Sequence, residues 1–178
     1  MKTLKEAILS EAVLSETTLK ESLFSKKNLE KQKETSTSNR KYEFTGETMK
    51  YNGRTLHRIR SLVDNSVYTI NKGDLGGWIE GEYNLSFEKD SECWVFDNAM
   101  IFDNAIVYDN AIVYDNAKVY GDSRISGTVQ VYDNAQVFGN ADLSEESTVF
   151  ENAKVYGDAQ IYGTAEIHGN AEVFGKSV

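Results

Sequence analysis

From Val95 to Val173 every sixth residue is aliphatic, and this single rhythm leaves few folds open. Residues 95 to 178 divide without a slip into fourteen hexads: VFDNAM, IFDNAI, VYDNAI, VYDNAK, VYGDSR, ISGTVQ, VYDNAQ, VFGNAD, LSEEST, VFENAK, VYGDAQ, IYGTAE, IHGNAE and VFGKSV. The first place is always Val, Ile or Leu, and the fifth is Ala, Ser or Val. The middle pair is drawn almost entirely from Asp, Asn, Gly, Glu and Thr. A helix cannot use such a row, because six residues turn it by about 600° and the aliphatics would spiral over its surface. A short strand closed by a sharp turn puts every first-place residue inside. A β-branched side chain suits that strand, and Asn and Gly tolerate the left-handed backbone of the corner. The chain contains no proline to break the backbone ladder between repeats.

The hexads resemble the hexapeptide repeat of left-handed parallel β-helices, in which three hexads make one triangular coil. The resemblance implies an all-β fold with a left-handed parallel β-helix of about 4.7 coils, roughly 22 Å tall at the usual strand spacing. Every sixth residue from Val95 to Val173 should point inward.

Coils of three hexads sort the second-place residues into three outer columns. One carries Phe102, Tyr120, Phe138, Tyr156 and Phe174; another carries Phe96, Tyr114, Tyr132, Phe150 and His168; the third, Tyr108, Ser126, Ser144 and Tyr162, is broken. The two aromatic columns either stack on themselves or form an oligomer or partner surface, and exposed apolar columns of this length exceed what a monomer usually shows to water. One corner column is acidic, with Asp97, Asp115, Asp133 and Glu151, and Asn98, Asn116, Asn134, Asn152 and Asn170 stand beside it. Corner-forming chemistry explains these letters, and a weak cation site is the competing reading. Stacked amides can hydrogen-bond up their column. The flanks of the first strands, Trp94, Met100, Ile106 and Ile112, are apolar, whereas from Lys118 onward the flanks are polar. The lower end of the helix should therefore be covered, by residues 41 to 94 or by another subunit.

Charge narrows the partners. Residues 1 to 94 hold 15 Lys+Arg against 15 Asp+Glu, while residues 95 to 178 hold 4 against 13, so the whole net charge of −9 sits in the repeats. Nucleic acid binding needs a basic stripe, so no direct DNA or RNA partner is expected. No run approaches membrane-spanning length and none reads as a signal peptide, which points to the cytoplasm and no membrane partner. The lone Cys93 excludes an internal disulfide and occupies the small inward place of a hexad, where it reads as a packing residue.

Three segments follow from these boundaries: 1–40, 41–94 and 95–178. In 41–94, Thr48 to Tyr51, Asn52-Gly53 and Arg54 to Leu62 read as a hairpin around a type I′ turn, and Val67 to Ile70 as a further strand. Gly73, Gly76 and Gly77 read as a turn, since neither phosphate-binding spacing is present. The stretch KGDLGGWIEGEYNLS followed by Cys93-Trp94-Val95 resembles the lead-in of the YdcK-like hexapeptide-repeat proteins common in phages and prophages. In that family a YEFTGE-like hairpin and a GDLGGW-like turn precede the repeats, and the likeness spans residues 41 to 178. Phe87 to Glu92 is longer than the usual approach. Segment 1–40 contains AILSE, AVLSE, TTLKE, SLFSK and KNLEK from Ala7, which resembles a pentapeptide repeat or serves as a partly helical docking arm, before a polar linker from Lys31 to Arg40.

These features favour a non-enzymatic scaffold or interaction protein. It is expected to form a homo-oligomer, a trimer above all, or to bind a protein partner through its aromatic faces or N-terminal arm. The family resemblance adds a phage origin, as a virion component or accessory in the host cytoplasm. An acidic decoy that imitates a nucleic-acid backbone and blocks a host nuclease or defence complex is one alternative. Acyl transfer is the other, since many left-handed β-helices are acyltransferases with a histidine base and loops interrupting the coils. Here no loop interrupts them, and His168 and His57 have no evident carboxylate partner in sequence. No cofactor, metal cluster or catalytic residue is expected.

Overall fold

The computed structural model describes residues 40–87 and 91–175. The five-residue rhythm of residues 7–31 and most of the 1–40 arm lie outside them. Within the described residues the hexads form a parallel β-solenoid of about five turns, one short strand per hexad.

Among the described residues three strands precede the repeats: β1, Tyr42–Tyr51; β2, Arg54–Ser61; and β3, Leu75–Ile79. Asn52 and Gly53 join β1 to β2 with φ of 46° and 78°, as a type I′ turn demands. β1 pairs antiparallel with β2, β2 pairs antiparallel with β3, and β3 then pairs in parallel with Met100–Ile101. The hairpin thus heads one long sheet that continues through Lys118–Val119, Gln136–Val137, Lys154–Gly157 and Glu172–Gly175. A second sheet stacks Trp94–Val95, Ile112–Val113, Gln130–Val131, Thr148–Val149 and Glu166–Ile167. The third stacks Ile106–Val107, Arg124–Ile125, Asp142–Leu143 and Gln160–Ile161. Partners across every interface within the repeats are eighteen residues apart, as Val113 with Val131 and Leu143 with Ile161.

The core is the column of first-place side chains. Val95, Ile101, Val107, Val113, Val119, Ile125, Val131, Val137, Leu143, Val149 and Val155 are all fully buried. Each such burial stabilises the fold by about 1.5–3 kcal/mol against exposure. Ile167 and Val173 are only half-buried in the last coil. The fifth place lies inside a tight corner, which explains its small residues: Ala99 to Ala117, Ala135, Ala141 and Ala153 are fully buried there. Serine fits because its hydroxyl donates to the carbonyl three residues back, as Ser123 does to Tyr120 (2.9 Å) and Ser147 to Ser144 (3.2 Å).

Three expectations need correction. The left-handed corner residue is the third-place Asp, Glu or Gly, with φ from 50° at Asp97 to 74° at Gly121, and not the Asn that follows. Val67 to Ile70 is not a strand. Asn65 Oδ1 accepts the N–H groups of Val67 (2.9 Å) and Tyr68 (3.2 Å), and its backbone closes on Ile70, so asparagine turn chemistry overrides the apolar run. Of the three glycines read as a turn, Gly73 alone turns, with φ 102°, while Gly76 and Gly77 lie within β3. They are glycine because the strand runs against the core: a Cβ on Gly77 would stand 2.5 Å from Val95 Cγ1 and 2.7 Å from the Ala99 carbonyl.

The same strand covers the lower end of the repeats. Trp78 and Ile79 pair with Met100 and Ile101, and Leu85 bridges to Val107. Ile79 to Leu85 is already a step of six, whereas Leu85 to Val95 is a step of ten. Arg54 fastens the hairpin from outside by pairing with Glu80 (3.0 Å) and Asp103.

Candidate functional site

The aromatic columns are the most distinctive surface of the solenoid. On the long sheet, Phe102, Tyr120, Phe138, Tyr156 and Phe174 stack with centroids 4.9, 4.9, 5.0 and 5.4 Å apart. On the second sheet, Tyr114, Tyr132, Phe150 and His168 stack at 4.7, 5.1 and 5.1 Å. Strands in a sheet are spaced by roughly the separation that stacked rings prefer, so identical side-chain directions in successive coils bring the rings into register. The rings within each column are nearly parallel, 2° to 7° apart through most of their length. Their π faces therefore cover one another and their edges point outward.

This geometry changes what each column offers. Phe102 is 3 % exposed, because Tyr51 meets it edge-on at 5.5 Å and Leu56 and Trp78 pack against it. Phe96 meets Tyr68 edge-on at 6.5 Å, where the 65–70 turn leans on the second sheet. Tyr120, Phe138 and Tyr156 on one side, and Tyr114, Tyr132 and Phe150 on the other, are half-buried. At the upper end Phe174 is 58 % exposed. The accessible ladders are thus shorter than the sequence columns, and they present ring edges.

A second set of bonds holds the ladders, and sequence reasoning missed it. Tyr114 donates its hydroxyl to Gln130 Oε1 (3.4 Å), Tyr120 to Gln136 Oε1 (3.3 Å) and Tyr156 to Glu172 Oε2 (3.4 Å). Each bond runs sixteen residues forward, from a second place to the sixth place beside the next coil's strand. The signal was a Tyr answered by Gln or Glu at that offset. Burial, then the neighbouring Tyr132 and the Asp115 and Asp133 carboxylates, push the Tyr114 hydroxyl up to about 12. Burial likewise raises Tyr120 and Tyr132.

The acidic corner resolves into backbone chemistry. Asp115 Oδ2 accepts the N–H of Asp133 (3.3 Å), and Asp133 Oδ2 accepts that of Glu151 (3.1 Å). The other two corners repeat this: Asp103 takes the N–H of Gly121, Asp109 that of Gly127 and Glu145 that of Gly163. A carboxylate on one coil thus accepts an amide N–H of the next, which offsets part of the repulsion between stacked acids. The asparagine column is looser, with Asn98 reaching Asn116 at 3.5 Å. A wide-mouthed hollow on the third corner is lined by Gly127, Thr128, Glu145, Glu146, Gly163 and Thr164. Among the described residues no group of three His, Cys, Asp or Glu is placed to hold a metal ion.

The histidines lie apart from any carboxylate bond among the described residues. His57 stacks on Phe44 at 4.8 Å in the hairpin, and His168 tops the second ladder on Phe150. No helix of the described residues is long and apolar enough to cross a membrane.

Comparison with known proteins agrees with the fold. Residues 99–115 match the family model of the YdcK β-solenoid repeat. No curated protein matches the chain. The chain is a β-solenoid repeat protein.

Proposed function

We propose that this β-solenoid is a non-enzymatic scaffold that assembles with copies of itself, three to a ring, through its two ladder faces. The observation that carries the reading is the pair of ladders. Both expose ring edges along a rigid sheet, on two of three sides of one prism, while the third side is broken by Ser126 and Ser144. A contact between unlike faces, one ladder against the other, is head-to-tail and forms a closed ring when the rotation from copy to copy divides a full turn. Aromatic edges also suit a contact surface, because rigid rings lose little conformational entropy on burial. The phage setting, as virion component or accessory, rests on the resemblance of residues 41 to 178 to phage-borne relatives.

The carboxylates support this reading over an acidic decoy. Five of them already accept backbone N–H bonds from the neighbouring coil, so they are directed along the axis. A ring of unlike contacts has a distinctive test in sedimentation velocity. Phe138→Ser with Tyr156→Ser removes one face, and Tyr132→Ser with Phe150→Ser removes the other. Each double variant alone should be monomeric, and their mixture should form a dimer through the two intact faces. Double variants that associate like the wild type would overturn the proposal.

A further inference from the structure

Two nucleophilic side chains meet at the lower end of the solenoid, one from the hairpin and one from the first coil. Lys41 immediately precedes β1 and is 4 % exposed; Cys93 is fully buried beside Trp94. Lys41 Nζ stands 3.1 Å from Cys93 Sγ, and it donates to the carbonyl oxygens of Cys93 and Ser91, both at 2.8 Å. Ser91 Oγ is 3.2 Å from the same sulfur. The three acceptors match the three protons of an ammonium group. Packing does not require this arrangement: the same fifth place holds Ser123 and Ser147, fully buried, without a lysine hydrogen-bonded to either. Burying an amine is unfavourable unless it is hydrogen-bonded, and Lys41 finds its partners at Ser91 and Cys93. Ser91, whose hydroxyl contacts the sulfur, is itself only half-buried.

We propose that Lys41 and Cys93 are a modification site, a covalent lock closed by hydrogen peroxide. In the first step the Cys93 sulfur attacks one peroxide oxygen and the O–O bond breaks. The sulfur is oxidised by two electrons to a sulfenic acid, and the other oxygen leaves as water. In the second step the lone pair of the deprotonated Lys41 amine forms an N–S bond. The S–O bond breaks, and the hydroxyl departs as water with a proton from Nζ. A cysteine sulfenic acid is known to be captured by nitrogen in this way, and here the nitrogen is already in contact. Burial lowers the Lys41 amine below its ordinary range and so enlarges the free-base share that the second step needs. Two equivalents of an external thiol reverse the lock, leaving Cys93 as thiol, Lys41 as amine and the reagent as disulfide.

The consequence is mechanical. The bond would join residues fifty-two apart in sequence and tie the hairpin to the first coil, constraining the unfolded chain as a disulfide would. The experiment treats the full-length protein with hydrogen peroxide, blocks free thiols after denaturation, and digests with trypsin. Peptide 41–50 should appear joined to peptide 90–118, two hydrogens lighter than their sum, and should separate on treatment with dithiothreitol. The treated protein should melt higher, by roughly 5 °C or more. Cys93→Ser keeps a small polar residue at a place where serine is already accommodated, and it should show neither the joined peptides nor the shift. Cys93 recovered as free thiol or sulfinic acid with peptide 42–50 released would overturn the proposal. Joined peptides without a rise in melting temperature would overturn its mechanical half.

Discussion

Asp133 offers the sharpest probe of the corners. Its backbone is left-handed, at φ 54°, its N–H donates to Asp115 Oδ2 at 3.3 Å, and its own Oδ2 accepts the Glu151 N–H at 3.1 Å. Asp133→Ala removes that acceptor, which at a half-exposed corner is a loss of about 1 kcal/mol. Alanine also keeps a Cβ in the left-handed region without the local hydrogen bonding that lets aspartate reside there, for about 1 kcal/mol more. Asp133→Gly loses the same bond but adopts the backbone without penalty, and its greater unfolded-state freedom offsets part of the relief, so about 1 kcal/mol is expected. Asp133→Asn keeps both an acceptor and tolerance of the corner, so about 0.5 kcal/mol is expected. In a solenoid such changes enter as one term between neighbouring coils and should be read directly in the midpoint. Urea unfolding followed by far-UV circular dichroism should rank the variants wild type, Asn, Gly, Ala. An alanine variant as stable as the glycine variant would refute the reasoning, because it would mean that backbone conformation contributes nothing at this corner.

Gly77→Ala should destabilise the lower end by about 2 kcal/mol or more, since its Cβ would meet Val95 Cγ1 at 2.5 Å and backbone oxygen at 2.7 Å. Amide exchange should then rise in β3 and at Met100–Ile101 and stay unchanged near Leu143; uniform protection would count against the close packing of β3. Tyr114 should titrate near 12, whereas an unfolded chain ionises near 10, so the folded form holds its proton more tightly. The stability this contributes is fully present below pH 10 and is lost as pH rises from 10 towards 12. Absorbance titration of the wild type against Tyr114→Phe would show this, and a phenolate already formed at pH 10 would contradict it.

Much of the fold was legible because the hexad states its physics at every place. The inward valines, small fifth places and stacked rings all follow from one strand and one corner repeated. The corner residue was misassigned, since Asp and Asn both tolerate left-handed backbone and stand side by side in five of the fourteen hexads. Only the three-dimensional stacking shows that the aspartate carboxylate has an amide to accept while the asparagine projects outward. β3 was hidden because Gly76 and Gly77 look like a turn until Val95 and Ile59 are known to press on them. For the same reason Phe102 could be placed in a column but not recognised as covered, because Tyr51 and Leu56 reach it from a hairpin some fifty residues earlier. The Lys41–Cys93 pair had no sequence signal at all.

The molar mass of the wild-type chain in solution tests the scaffold reading most directly. Rings already half-buried against one another leave less surface to cover than free aromatics, and the net charge of −9 per chain opposes assembly until salt screens it. Light scattering coupled to size exclusion at tens of micromolar and moderate salt should therefore give a mass approaching three times 20.0 kDa, about 60 kDa, and closer to it as salt rises. A constant mass of 20.0 kDa across that range would contradict the account and leave the ladders as packing within a single solenoid.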